Sequence, residues 1–429
     1  MIRIFTALLF INFCYSQNYY IYVAAESDDT VSVLKFDGEN IEETDRVTVG
    51  IMPTENEGPH GITIDPSGKY WYLTLAHGSP NGSLVKYSTE NNEPLSKVEL
   101  GLFPATMQIS PKTGLLYAVN FNLHGLMRTS TVSVVDPEYM VEITQIKTGI
   151  MPHGSRISVD GKTHYSVAMM SGELFEIDAL DLSVNRILSL DNNINYRNAM
   201  HHSKVKPTWV TPHPNGKTLY VAGNGSDEIL VVDLESFSVE DKLSTGKGPY
   251  NLAVSPNGKL IGVACASPMQ LVVMDAKNSQ LLSQHPFQGL NPGHIAFGPD
   301  SRYLYIAFTY DGGSHPSPGN IRRGWVTGSR LGRLELNDGQ LAGLTLDVPG
   351  KAVGDVLGLA VQDNHQLLLT AGGTHELLRF STGHLPWTQI SGTEIMEKSL
   401  ANDSQRFSRI KLGGRPLGIT ISGNQRSAF

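Results

Sequence analysis

KPTWVTPHPNGKTLYVAGNGSDEILVVDLESFSVEDKLSTG runs from Lys206 to Gly246, and KGPYNLAVSPNGKLIGVACASPMQLVVMDAKNSQLLSQHPF follows it from Lys247 to Phe287. The two stretches repeat one pattern, the second displaced by one residue at Pro249. Each opens on a proline and an apolar run, turns at Pro-Asn-Gly, and continues through three more short runs. Those four runs predict strands A to D. The segment YYIYVAAESDDTVSVLKFDGENIEETDRVTVG, from Tyr19 to Gly50, supplies only B, C and D. The tail GRPLGITISGN, from Gly414 to Asn424, supplies a lone A. A first strand missing at the head and returned at the tail closes a ring.

The turn chemistry supports strands. Proline presets φ at a turn's second position and glycine accepts positive φ at its end, as in Ser255-Pro256-Asn257-Gly258. Runs of four to six β-branched and apolar residues between such turns are strands rather than helices, and no segment keeps a 3.6 period. A strands are expected near Pro59, Pro104, Pro152, Pro207, Pro249, Pro292, Val353 and Pro416. Clear neighbours stand 42 to 45 residues apart. Four strands at that period predict an all-β chain folded as a β-propeller. The count is eight blades. It drops to seven if the stretch from Val353, which carries an insertion around Gln389 to Gln405, is not a blade.

Residues 1–16, MIRIFTALLFINFCYS, read as a secretory signal: Arg3, then the apolar core Ile4 to Phe13. That leaves 17–429 as one propeller domain, periplasmic or extracellular. The apolar run is too short to span a bilayer. Ile11-Asn12-Phe13 before Cys14 is a poor lipoprotein box, so a lipid anchor there is not expected. Only Cys265 remains in the mature chain, which excludes an internal disulfide. A net charge of −8 without a basic run excludes a nucleic-acid partner. A monomer without a transmembrane segment is expected.

The units SPNGKLIGVA and HPNGKTLYVAGNGSDEILVVD resemble the YVTN-type repeat of bacterial extracytoplasmic propellers. The resemblance covers nearly all of the mature chain. It implies the fold strongly and the function weakly, because propellers of this kind include surface proteins, lactonases and the haem d1-binding domain of a nitrite reductase. No C-x-x-C-H haem attachment motif is present.

On a propeller, D-to-A and B-to-C connections share one face. Nine of the 14 histidines map to that face. The strings Gly58-Pro59-His60-Gly61, Met151-Pro152-His153-Gly154 and Asn291-Pro292-Gly293-His294 place imidazoles at the axial end of A strands, and His201-His202 precede a fourth. Imidazoles around an axis can ligate copper or iron, move protons or hold an anion. His60, His153, His202 and His294 are the candidate metal set. Arg156, on an inner strand, calls for a carboxylate, an anionic ligand or channel water. Arg322, Arg323 and Trp325, in the long insert Thr309 to Val326, are candidate ligand contacts. A second insert spans Asp191 to Lys206.

Three functions follow as expectations. The first is a module binding a small molecule or protein on the His-rich channel face. The second is a cofactor-dependent enzyme or carrier with a copper, iron or haem d1-like centre. The third is a lactonase-like hydrolase, for which no acid–base set stands out.

Overall fold

The computed structural model describes residues 19–421 apart from 38–39, 51–55, 79, 125–126, 192–201, 323–324, 349, 363–364 and 394. Residues 1–16, read as a secretory signal, lie outside the described residues. Eight antiparallel sheets form a ring of blades. Their innermost A strands are Pro59–Ile64, Pro104–Ile109, Pro152–Ile157, Pro207–Pro212, Lys247–Val254, Leu290–Phe297 and Val356–Val361 in blades 2 to 8. Blade 1 takes Pro416–Ile421 as its A strand and Tyr19–Ala25 as its B strand. Tyr22 pairs with Thr420, Val23 with Ile419 and Ala24 with Gly418, so head and tail share one sheet. This closure hides the edge that an open ring would expose.

The count is eight, not seven. The doubtful stretch is blade 8, whose A strand begins at Val356, three residues beyond the expected start. Its insertion leaves the blade between strands C and D. There Thr388–Gln389 adds a fifth strand to blade 7, Gln389 opposite Ala342 and Thr388 opposite Gly343.

Each B and C strand has two apolar faces that a single sheet cannot cover, so the core lies between blades. Tyr22, Val31 and Val33 of blade 1 pack with Trp71, Leu73 and Tyr87 of blade 2. The Trp71 and Tyr87 rings stack at 3.9 Å. Outer D strands are largely solvated, as in Pro94–Glu99.

Entry into the A strands follows one rule. Gly58, Phe103, Met151, Lys206, Gly248 and Asn291 stand just before an A-strand proline, and Asp355 before Val356. All have positive φ. The left-handed residue reverses the chain from D to A, and proline fixes the next φ. One extra residue then bulges each A strand: Pro152 faces Ala168, yet Ser155 faces Ser166. Such a bulge rotates the strand and re-aims the residues within it. These are the first two after the proline, at the mouth of the central channel.

Adjacent blades are stitched at that level. The carbonyl just after the A-strand proline accepts from the preceding blade. Thr74 Oγ1 donates to Ala105 O at 3.0 Å, Thr106 Oγ1 to His153 O at 3.3 Å and Thr208 Oγ1 to Tyr250 O at 3.2 Å. No helix among the described residues is long and apolar enough to cross a membrane.

Candidate functional site

The first two residues after each A-strand proline set the character of the channel mouth. Blade 2 places His60 there, blade 4 His153, blade 5 Thr208 and Trp209, blade 6 Tyr250 and blade 7 His294. Blades 8 and 1 place Leu357-Gly358 and Leu417-Gly418. Blade 3 places Ala105 and Thr106, which interrupt the rings of blades 2 and 4 to 7, while blades 8 and 1 present only leucine and glycine.

Phe103 and Phe121 bridge the gap at blade 3. Phe103 stands edge-on to His60 at 5.5 Å, His77 at 5.2 Å and His124 at 5.3 Å. Its other neighbour is Phe121 at 6.1 Å, which meets His153 at 5.0 Å. His153 in turn lies 6.0 Å from Tyr250. Phe103 holds the centre of the histidine group from a left-handed backbone, φ 53°. That conformation costs a bulky side chain about 1–2 kcal/mol, so packing must hold it in place.

Arg156, four residues beyond its proline, sits deeper. Its guanidinium lies 4.3 Å from the Trp209 ring centre, and Nη1 donates to Ser155 O at 2.6 Å. Trp209 also faces His294 at 6.1 Å. A guanidinium stacked on indole keeps its charge while shedding water. Burial lowers its pKa to about 10, which leaves it cationic at neutral pH.

The imidazoles are neutral there. Burial, and then the charge of Arg156, bring His294 down to about 4. Burial also lowers His153, a bond to Thr208 opposes it, and His60 and Arg156 add to the fall. Burial lowers His60, with a further push from His77 against the pull of Glu26. His153 is oriented as well: Nδ1 lies 2.8 Å from Thr208 O, and Nε2 lies 3.4 Å from the Tyr250 hydroxyl. A carbonyl at Nδ1 fixes the proton there and turns the Nε2 lone pair outward.

Of the expected residues, His60, His153, Arg156 and His294 gather at the mouth. The exposed His202 stands apart. Trp325, 38 % exposed, borders a separate cleft of blade 7 with Tyr310, Arg330 and Gln389. Arg323, the Arg322 side chain and most of the Asp191 insert lie outside the described residues. Among the described residues, no three of His, Cys, Asp or Glu are placed to hold a metal ion. His60, His153 and His294 sit one to a blade, and His294 stands one residue further from its proline than the other two. Counting histidines missed Phe103, Trp209 and Tyr250. Aligning the residues around each A-strand proline would have found them.

No protein-family model matches the chain, and no curated protein matches it in sequence. Solved structures do resemble it. Dihydro-heme d1 dehydrogenase NirN, in complex with DHE, superposes with TM-score 0.63 at 14% identity, over 93% of this chain and 74% of that one. Hydrazine synthase of Kuenenia stuttgartiensis gives 0.53 at 18% identity, over 86% and 92%. The periplasmic gluconolactonase PpgL of Pseudomonas aeruginosa gives 0.50 at 15% identity, over 95% and 99%. At these identities the likeness defines a β-propeller and nothing finer.

Proposed function

We propose that this propeller, of the YVTN type and exported once residues 1–16 are removed, binds a small anionic ligand with a flat conjugated body at its channel mouth. One observation carries this. Arg156 is the single cation within the A strands beyond their first residue, and it is held against Trp209 among imidazoles that stay neutral. A guanidinium stacked on indole between aromatic walls suits a planar carboxylate. Affinity of the purified mature chain for a panel of flat conjugated carboxylates tests it by calorimetry. Arg156→Gln should weaken the best binder at least tenfold, about 1.4 kcal/mol. Arg156→Lys should recover only part, because Lys lacks the stacking plane. Equal affinity in wild type and Arg156→Gln would reject the assignment.

A narrower form is supported by the His153 geometry. An imidazole whose Nδ1 is tied to a carbonyl offers Nε2 as a metal ligand. The donor set does not suit a three-histidine copper or iron centre, but it suits an iron macrocycle held by a single imidazole. The macrocycle would supply the redox chemistry, His153 would hold its iron and Arg156 would pair with its carboxylates. Titration with haem should give a shifted Soret band that His153→Ala abolishes. An unshifted band would leave the simpler anion site.

A further inference from the structure

Blade 4 departs from the repeat at three positions that lie together. Ser155 of strand A pairs with Ser166 of strand B (Thr163–Ala168), and Ile157 with His164. Strand alternation therefore puts Ser155, Ser166 and His164 on one face of the sheet. Every other blade fills all three positions with apolar residues, such as Ile62, Leu73 and Trp71 in blade 2 or Val210, Val221 and Leu219 in blade 5.

The three side chains are 0 % exposed. Neither serine hydroxyl and neither His164 nitrogen has a hydrogen-bond partner among the described residues. Blade 3 covers them, with the Tyr117 ring stacked on His164 at 4.9 Å. Four dry polar atoms in place of an apolar trio would only destabilise the ring, since buried polar groups in native proteins are almost always bonded. A hydroxyl both donates and accepts, and a neutral imidazole does one of each. Internal water needs two to four such partners, which this face supplies. All three side chains are uncharged, so the guest is neutral too; burial and the nearby Arg156 keep His164 unprotonated.

We propose that ordered water occupies the seam between blades 3 and 4, held by Ser155 Oγ, Ser166 Oγ and the ring nitrogens of His164. Strand alternation points Ser155 into the seam with blade 3 and Arg156 to the opposite face, where it stacks on Trp209 of blade 5. The wall behind the channel cation is thus packed partly by solvent, and Ser155, through its carbonyl to Arg156 Nη1, links the two sides.

The test uses the mature chain labelled with 15N at its histidines, 14 in the full sequence. The buried His164 ring N–H, assigned by its loss in His164→Leu, should show a cross-relaxation peak to water. That peak should vanish when Ser155→Val and Ser166→Val restore the apolar pattern of the other blades. No water peak in wild type, or one that survives both serine substitutions, overturns the proposal. If His164→Leu does not fold, the double-serine variant assigns the signal by its shift and carries the same comparison.

Discussion

Lowering the pH should weaken this fold, and His164 sets a measurable share. Its pKa is about 3 in the folded ring, against the ordinary 6.5, because burial and then Arg156 oppose a second positive charge. Between these values the unfolded chain binds a proton that the folded chain refuses, so stability falls as pH falls. The penalty is absent above the unfolded pKa and complete below the folded one. Near pH 5 it amounts to about 2 kcal/mol, from about 1.4 kcal/mol per pH unit over roughly one and a half units. A ring of about 400 residues has an unfolding entropy near 0.8 kcal/mol/K, so the loss lowers Tm by about 2–3 °C. His60, His153 and His294 shift the same way and add to the total fall. His164→Leu isolates the one term, since leucine already fills this position in other blades. Calorimetric scans of both proteins near pH 7 and pH 5 should show the variant losing about 2–3 °C less. Parallel Tm curves would refute the assignment of a proton-refusing imidazole to this seam.

Gly154→Ala should damage ligand binding more than folding. A Cβ there would stand 2.8 Å from Thr208 O and from the Trp209 Cα, driving blade 5 away from His153 and Arg156. Expect a loss of about 1–3 kcal/mol in stability, read by urea melts, with binding abolished in calorimetry. Trp71→Ala removes the ring stacked on Tyr87 between blades 1 and 2 and should cost about 3–5 kcal/mol in the same melts. Ending the chain at Gly413 deletes the A strand of blade 1 and bares the edge of Tyr19–Ala25. The truncated protein should aggregate, and a synthetic Gly414–Asn424 peptide should restore a monomer in size-exclusion chromatography.

The ring was readable because its signals are local. Proline before an apolar run and Pro-Asn-Gly after it recur where the backbone needs them. The lone A strand at Pro416 even announced the closure. Blade 8 was harder, since Val356 replaces the proline that marks other A strands and its C–D insertion feeds a neighbouring sheet. At the mouth, His60, His153, His294 and Arg156 were found because their residue types advertise chemistry. Trp209 and Tyr250 were not, because an aromatic residue in a strand looks like core until the bulge is known to turn it toward the axis. Nothing in the sequence sets His164 apart from the other histidines. Only the pairing of Ser155 with Ser166 and of Ile157 with His164 shows three polar substitutions sharing one face.

The join between head and tail also fixes how the molecule answers tension. The two strands run antiparallel, with Ile21 opposite Ile421, so both ends of the chain leave from the same end of their ladder. A pull between them loads one hydrogen-bonded pair at a time and unzips Pro416–Ile421 like a fastener, where a shearing geometry would engage every pair at once. Tethered by its two ends, the ring would open at low force. A covalent bridge across that short gap would turn its weakest mechanical point into a continuous hoop.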